Sequence, residues 1–252
     1  MTTVSKKSIE LSVLSQINQL KESQGKWDGL GVTERVGQLT AWHQALVTSD
    51  LVSEHHDWHY AMRMIELKLE HALSHLQTID SLPGPTGESN SLSTAGRGVW
   101  LVGIEKNMPL TAFFGQLITT LVAGNSVMLS VVEPDLDYVN KLIKLFNPLA
   151  KSGLALGDII ALTTHDNVES LCRLDLINGV AFTGQKNVTQ RLYQLISQRT
   201  GEIIPVVFEN EPKRLPIISS DSYCLHFITE KTITINVTAI GGNASLLELG
   251  AG

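Results

Sequence analysis

The chain has 252 residues, of which 43% are hydrophobic and 17% are charged, and its formal net charge is −6. Its 19 lysines and arginines form no basic run, which argues against nucleic acid as a partner, because phosphate binding needs clustered positive charge. No apolar run approaches the about 20 residues that cross a bilayer, the first residues lack the apolar core of a signal peptide, and two distant cysteines do not suggest a disulfide framework. We therefore expect a cytoplasmic protein without a membrane span.

The first 80 residues have helical periodicity and almost no strand signal. Amphipathic helices are predicted from about Ile9 to Gly25, from Val32 to Val47 and from about Ser53 to Ile79. The turn-rich stretch Leu82–Gly87 follows as a stiff connector. We predict a helical arm with its connector over residues 1–90.

The strongest pattern in the chain lies between residues 96 and 133. An apolar strand over Val99–Ile104, a helix over Leu110–Val122, a Gly-Asn turn and an apolar strand over Ser126–Val132 make one βαβ unit. Strands that are apolar throughout are typical of a parallel sheet with helices on both faces.

Strand and helix continue to alternate as far as residue 212. The predicted elements are a helix over 135–150, strands over 157–163, 177–182 and 203–208, a short helix from 168 and a helix over 187–198. This alternation predicts an α/β fold with a doubly wound parallel, Rossmann-like sheet over residues 91–212. The β-branched, alternating stretch Tyr223–Val237 instead predicts a protruding antiparallel β-flap, which with the tail forms a third region over 213–252.

Two groups of side chains were weighed as chemical sites. Histidines follow a four-residue spacing in the third helix, which two metal ligands can share, but no third ligand is evident and we predict a solvated helix face without a metal. They are His55, His56, His59, His71 and His75. Cys172 and Cys224 lack the helix N-terminus, the partner histidine or the cationic pocket of a reactive thiolate, so we predict buried structural cysteines.

The turn at Thr183-Gly184 is the best candidate for ligand binding. It follows a predicted strand and precedes a helix, the place where open α/β sheets present free N–H groups to phosphates. The fingerprint G-x-G-x-x-G is absent, and a Thr-Gly pair fits a plain turn equally well.

Four short stretches resemble the aldehyde dehydrogenase superfamily in order and spacing. They are Asn107-Met108-Pro109, Leu121–Asn125, Ala181–Gly184 and Phe208-Glu209. Two more, Leu82–Asn90 and Thr232–Leu247, resemble proline utilisation A proteins, which oxidise proline to glutamate. The resemblance implies that Asn107 matches the oxyanion-hole asparagine, that Glu209 matches the general base, and that Glu133, Thr183 and Gly184 match positions around NAD.

The departures from that family shape the expected function. Its catalytic domain, which carries the nucleophilic cysteine, is missing between Glu209 and the ribbon, so Asn107 and Glu209 are expected to be vestigial. The family's ribose-binding lysine is Ser130 here, and a glycine near the pyrophosphate is Thr189. We therefore expect no cofactor, although NAD remains possible.

The resemblance implies the non-catalytic C-terminal domain of the longer proline utilisation A enzymes. Such a domain would stabilise a catalytic aldehyde dehydrogenase domain and cover its channelling cavity, or it would form a homodimer through the flap. Two alternatives stay open: a residual NAD(P)-binding module, and part of an active glutamate-semialdehyde (1-pyrroline-5-carboxylate) dehydrogenase with an unusual nucleophile.

Overall fold

The structure, a computed structural model, describes residues 2–51, 56–76, 80–85, 87–132, 135–145 and 153–236. The helices are α1 (Thr2–Asp28), α2 (Gly31–Val47), α3 (Trp58–Leu76), α4 (Leu110–Val122), α5 (Leu136–Lys144), α6 (Leu156–Ile159), α7 (Val168–Cys172) and α8 (Lys186–Ser197). The strands are β1 (Asp80–Leu82), β2 (Glu88–Gly96), β3 (Val99–Ile104), β4 (Ser126–Val131), β5 (Ile160–Thr164), β6 (Gly179–Thr183), β7 (Val206–Glu209) and β8 (Ile228–Asn236). None of the helices in these ranges is long and apolar enough to span a membrane.

The larger sheet has five parallel strands in the order β5-β4-β3-β6-β7. The first of them in the chain, β3, lies at the centre. From β3 the chain winds out to one edge through β4 and β5, and then returns to wind out to the other edge through β6 and β7. The direction reverses between β3 and β6, where ligands bind in such sheets. The predicted doubly wound, Rossmann-like sheet is confirmed.

Helices cover both faces of this sheet. Side chains of α2, α3 and α4, including Trp42, Ile65 and Phe114, form the core on one face. Ile17 of α1 and Leu192 of α8 belong to a second core on the other face, together with α7. Because both faces are covered, β4 is buried along its whole length, as its continuous apolar sequence predicts.

The helical arm is fastened to the sheet through the C-terminus of α4. Trp27 Nε1 donates to Leu121 O at 2.7 Å, and Arg35 Nε donates to Val122 O at 2.9 Å. Gln24 Nε2 donates to the Gly124 carbonyl at 2.8 Å. The last carbonyls of a helix have no N–H partner four residues further along it, and these donors supply hydrogen bonds there; the Leu121 carbonyl additionally accepts the Gly124 N–H at 2.9 Å.

The smaller sheet is antiparallel and has the order β1-β2-β8. Strands β2 and β8 pair without a break from Glu88↔Asn236 to Gly96↔Ile228. This is the predicted antiparallel flap, but the sequence predicted neither β1 nor β2, and the stretch 221–227 is a 3-10 helix rather than strand. The predicted boundary at residue 90 falls inside β2; the division into three regions stays a prediction.

Some predicted element boundaries were wrong. The strand predicted from residue 157 begins at Ile160, because Leu156–Ile159 forms one helical turn whose Asp158 carboxylate accepts the N–H of Ala155 at 2.7 Å. The first helix begins at Thr2, earlier than predicted. The predicted ends at 53–55, 77–79 and 146–150 lie outside the described residues.

Candidate functional site

A cleft of about 710 Å³ lies at the carboxyl ends of β3 and β4, beside the point where the winding reverses. Its body is apolar and is lined by Ile104, Met108, Leu110, Phe113, Val131, Tyr138 and Val139. Its rim is polar and includes His56, Asp57, Glu105, Lys106, Asn107, Asp135 and Lys213. An apolar body with a few polar groups is the usual composition of a small-molecule site.

The N-terminus of α4 borders the cleft and already holds a carboxylate. Asp57, which is 8% exposed, accepts the backbone N–H of Thr111 at 3.2 Å through Oδ2. A carboxylate in this position satisfies one of the free N–H groups of the helix and lies at the positive end of its dipole. Asp57 therefore neutralises the first of two helix ends at this edge of the sheet.

The N-terminus of α8 is occupied in the same way by Glu105. Its Oε2 accepts the backbone N–H of Gln185, the N-cap residue of α8, at 2.8 Å. Glu105 follows β3 and Gln185 follows β6, so this contact joins the two strands between which the winding reverses.

Thr183 and Gly184, the predicted cofactor-binding pair, lie beside that contact. The Thr183 side chain is 0% exposed and its hydroxyl is hydrogen-bonded by the side chain of Gln116 in α4. A Cβ at Gly184 would come within 3.0 Å of Glu105 Oε2. The glycine thus gives room to a carboxylate of the same chain.

Asn107 lies on the rim of the cleft, in the turn between β3 and α4. It is exposed, and its φ of 66° is in the left-handed region that asparagine tolerates better than most residues. The turn is closed by the N–H of Met108, which donates to the Glu105 carbonyl at 3.2 Å. The amide of Asn107 is therefore presented to solvent at the mouth of the cleft.

Glu209, at the end of β7, is 1% exposed and is surrounded by backbone donors. Its Oε1 accepts the N–H of Glu211 at 2.9 Å, and its Oε2 accepts those of Ile217 and Ile218 at 2.9 and 3.3 Å. It is not among the residues that line the cleft, so the structure does not bring Glu209 and Asn107 together in one site. The carboxylate organises the loop that follows β7.

That loop contains a strained residue. Leu215 is 5% exposed and has a φ of 51°. A left-handed leucine costs about 1–2 kcal/mol, and charge-assisted hydrogen bonds to Glu209 on both sides of the loop offset that cost.

Two positions expected around the adenosine and pyrophosphate of NAD make contacts within the chain. Ser130, which lines the cleft, is 1% exposed, and its Oγ lies 3.5 Å from Nδ1 of His165. The ring of His165 is tilted against that of Phe182, with their centres 5.6 Å apart. Thr189 Oγ1 donates to Asn210 Oδ1 at 2.7 Å and so joins α8 to the segment after β7. Glu133 lies outside the described residues.

These residues do not fit a nicotinamide dinucleotide. A phosphate at the N-terminus of α8 would meet the Glu105 carboxylate, and two negative charges in contact repel strongly. The Thr183 hydroxyl is buried behind that contact and offers no group to a ligand.

Neither cysteine has the environment of a nucleophile. Cys172 and Cys224 are both free and buried. Burial raises the pKa of Cys172 to about 12 and also raises the pKa of Cys224. Both thiols are therefore protonated near neutral pH, and a protonated thiol attacks carbonyl carbons poorly.

The histidines do not form a metal site within the described ranges. No three His, Cys, Asp or Glu side chains there are arranged to hold a metal ion. His56 lies on the rim of the cleft, whereas His55 falls outside the described residues.

Sequence reasoning missed three polar residues that shape this end of the molecule. Glu105 and Asp57 act at helix N-termini; the signal for Glu105 is a carboxylate immediately after a buried strand, whereas Asp57 precedes α3 but binds the N-terminus of α4, which no local pattern indicates. Lys68 is 1% exposed, and its Nζ donates to the Ser220 carbonyl at 3.0 Å and lies 5.2 Å from the centre of the Tyr223 ring. Burial lowers its pKa to about 8.

Comparison with known proteins places these observations in a family. The sequence model described as the aldehyde dehydrogenase family matches residues 29–229. A search of curated proteins finds no match.

Several solved structures have a similar fold. A mutant of proline utilization A (PutA) from Bradyrhizobium japonicum is 23% identical with a TM-score of 0.69, over 79% of this chain and 22% of that one. PutA from Bdellovibrio bacteriovorus inactivated by N-propargylglycine is 17% identical with a TM-score of 0.66, over 77% of this chain and 22% of that one. Aldehyde dehydrogenase from Brucella melitensis biovar abortus is 19% identical with a TM-score of 0.64, over 79% and 43%. The chain therefore spans about a fifth of the PutA chains and less than half of that aldehyde dehydrogenase.

Proposed function

The chain belongs to the aldehyde dehydrogenase family, and on that premise we propose that it is a non-catalytic domain of the family. In this proposal β8 binds the catalytic aldehyde dehydrogenase domain of a proline utilisation A type enzyme, and residues 239–249 cover the cavity through which its intermediate passes. The observation that carries the proposal is the direct connection of β7 to β8 through residues 210–227. The family resemblance predicts a separate catalytic domain at this point of the chain.

The connection between β7 and β8 is folded and packed. Leu215, Ile218, Tyr223 and Phe227 are all buried, and Glu209 holds the first half of the segment through three backbone N–H groups. Glu209, which the family resemblance matches to the general base, thus helps to hold the segment that joins the two sheets. This supports a stable domain that has no place for the inserted nucleophile.

Strand β8 supports the proposed binding to a partner. It is nine residues long and pairs with β2 along one edge, and no other described strand pairs with its second edge. The opposite edge of the sheet is β1, which has three residues and is followed by Pro83, whose nitrogen cannot donate. An additional strand would therefore bind at β8 through main-chain hydrogen bonds.

Near its end, one face of β8 carries two uncovered isoleucines, which follow Lys231 on the same face. Ile233 and Ile235 are 56% and 42% exposed, and they pair across the sheet with Ser91 and Ser89. Directly paired residues lie on the same face, and serine is too small to cover an isoleucine beside it. The opposite face carries threonines, so the isoleucine face is the better candidate for contact with the partner.

The test is binding to a catalytic glutamate-semialdehyde dehydrogenase that lacks such a domain. We expect sedimentation to detect a complex that the double variant I233K/I235K weakens at least tenfold. The matched variant T232K/T234K places the same charges on the other face and should weaken it less. Absence of a complex with unaltered β8, or equal effects of both variants, would contradict the proposal.

The tail is tested separately, because residues 237–252 lie outside the described part of the chain. A variant that ends at residue 238 should still bind the catalytic domain but should lose channelling. The measurement is the escape of the semialdehyde to an added trapping amine, which should increase. Unchanged escape would remove the covering role and leave the binding role.

Dimerisation through the flap is the alternative mode of binding. If sedimentation of the chain alone gives a dimer that I233K/I235K dissociates, the partner is a second copy rather than a catalytic domain.

The other two candidate functions are weakened by the site. A residual NAD(P)-binding module would use Glu133, Thr183 and Gly184, but Thr183 is buried and Gly184 faces Glu105. Calorimetry with millimolar NAD tests it, and we expect no heat of binding. An active dehydrogenase would need NADH formation that depends on an aldehyde and is lost on mutation of Cys172 or Cys224, and we expect none.

A further inference from the structure

The contact between Glu105 and the N-terminus of α8 lies where a doubly wound sheet places an anionic ligand. The first N–H groups of a helix, together with its dipole, attract phosphates and carboxylates. Helix α8 has 12 residues and begins directly after β6, on the side where the winding reverses. Here the anion at that position is a side chain of the same protein, 2.8 Å from the Gln185 nitrogen.

Glu105 is held in place by its backbone as well as by its carboxylate. Its N–H donates to the Thr183 carbonyl at 2.8 Å, and its carbonyl accepts the N–H of Met108 at 3.2 Å. The residue is therefore fixed to the end of β6 on one side and to the turn before α4 on the other. The backbone that carries the carboxylate is thus held on both sides, so a ligand could not push this segment aside as a loose loop.

Gly184 and Phe182 define the space that the carboxylate uses. A Cβ at Gly184 would come within 2.9 Å of the Phe182 ring and 3.0 Å of Glu105 Oε2. The Gly184 nitrogen donates to the Glu209 carbonyl at 3.1 Å, so it is not available to a ligand. A glycine is needed at this turn because Glu105 approaches so closely.

The N-terminus of α4, where Leu110 lines the cleft, is taken by Asp57, which accepts the Thr111 N–H. No residue of α8 lines the cleft, so Glu105, which lines it and accepts the Gln185 N–H, connects the cleft to the N-terminus of α8. The cleft itself remains open, with a volume of about 710 Å³ and an apolar body.

We infer that Glu105, which lines the cleft, occupies the anion position at the N-terminus of α8 next to it and excludes ligands that would place a phosphate there. This role of Glu105 depends neither on β8 nor on a partner. The Glu105 carboxylate competes with phosphate for the N-terminus of α8, and removing its charge should allow a phosphate to bind there.

The experiment measures the binding of inorganic pyrophosphate by calorimetry to the whole chain at about 0.15 M ionic strength, where the Debye length is about 8 Å and charges farther away are largely screened. We expect E105A to bind pyrophosphate at least tenfold more tightly than the unaltered protein. D135A is the matched control, because Asp135 lies on the same rim and no side-chain cap hydrogen bond ties it to α5. Its loss removes the same charge and should change affinity by less than about threefold.

A second pair of variants keeps the test valid if E105A fails to fold. E105Q keeps an oxygen that accepts the Gln185 N–H and should retain the melting temperature of the unaltered protein, and it should still gain affinity relative to D135N. Equal gains for the two positions would show a long-range charge effect, and no gain in E105A or E105Q would show that Glu105 excludes nothing. Either result overturns the inference, whatever the outcome of the partner-binding experiment.

Discussion

The two sheets differ in how far their groups are bound within the chain. At the carboxyl end of the parallel sheet, Glu209, Glu105 and Thr183 all bind to other parts of the same chain. In the antiparallel sheet, β8 has one edge without a described partner strand and exposes Ile233 and Ile235. These three side chains therefore contribute to the stability of the parallel sheet, and β8 is the strand to which we assign partner binding.

The largest expected effect concerns the parallel sheet, at Glu209. E209A leaves three backbone N–H groups without their acceptor in a buried site and should lower the free energy of unfolding by about 3–5 kcal/mol. E209Q keeps an acceptor and should cost less. Urea unfolding measures both.

The exposed Glu211, two residues away, supplies the control. E211A removes a carboxylate that is exposed and for which no hydrogen bond is described, so it should change the free energy of unfolding little. Similar losses in E209A and E211A would refute the anchoring role of Glu209.

Lys68 lies where the two sheets are joined, since it binds the carbonyl that precedes the 3-10 helix leading to β8. Burial lowers its pKa to about 8 from 10.5. Between those two pH values the unfolded chain binds more protons than the folded one. Lys68 therefore makes stability rise as the pH rises from about 8 to about 10.5, by roughly 3 kcal/mol.

The buried thiols and Tyr223, whose pKa values are raised, act in the opposite direction at alkaline pH. The contribution of Lys68 is therefore obtained as the difference between the unaltered protein and K68M in urea unfolding at several pH values. The exposed Lys186 gives the comparison, because K186M should leave the profile unchanged. A flat difference curve for K68M would show that the lysine is hydrated in the folded state.

A smaller effect is expected at Gly184. G184A brings a methyl group against the Phe182 ring and the Glu105 carboxylate and should cost about 1–2 kcal/mol. Gly157 in α6 has open space around it, so G157A should be neutral or slightly stabilising. Thermal unfolding compares the two, and a neutral G184A would mean that the turn yields easily.

The smallest expected change in stability concerns an exposed residue of the flap. I235K changes an exposed position and should alter the free energy of unfolding of the isolated chain by less than about 0.5 kcal/mol. A loss above about 1 kcal/mol in urea unfolding would show that Ile235 already packs within the chain, and the face would then not be open to a partner.

The sequence predicts those elements whose pattern is local. β3 and α4 begin and end where the apolar runs do, because burial on both faces leaves a continuous signal. β2 escaped prediction because its sequence, ESNSLSTAG, has neither alternation nor β-branched density. It is a strand because β8, far along the chain, supplies the hydrogen bonds.

The place of the predicted cofactor-binding turn in the fold was predictable from the sequence, but Thr183 and Gly184 do not line the cleft, and their proposed role stays a prediction. The turn at Thr183-Gly184 lies at the carboxyl end of β6, as strand–helix alternation requires. Glu105 can cap α8 only because β3 and β6 are neighbours in the sheet. Glu209 can hold the loop after β7 only because residues 211–218 fold back over its carboxylate. Both are properties of tertiary arrangement, which a local pattern does not contain.

The pairing of β2 with β8 has a consequence for synthesis of the chain. Asn90 and Thr234, which share a hydrogen bond, are 144 positions apart. At about 5–20 residues per second, β2 leaves the ribosome roughly 7–30 seconds before its partner exists. A strand that must wait so long with open edges is an aggregation hazard if it is apolar. The serines and the asparagine of β2 let it remain hydrated during that interval, so its weak strand signal is also its protection in the nascent protein.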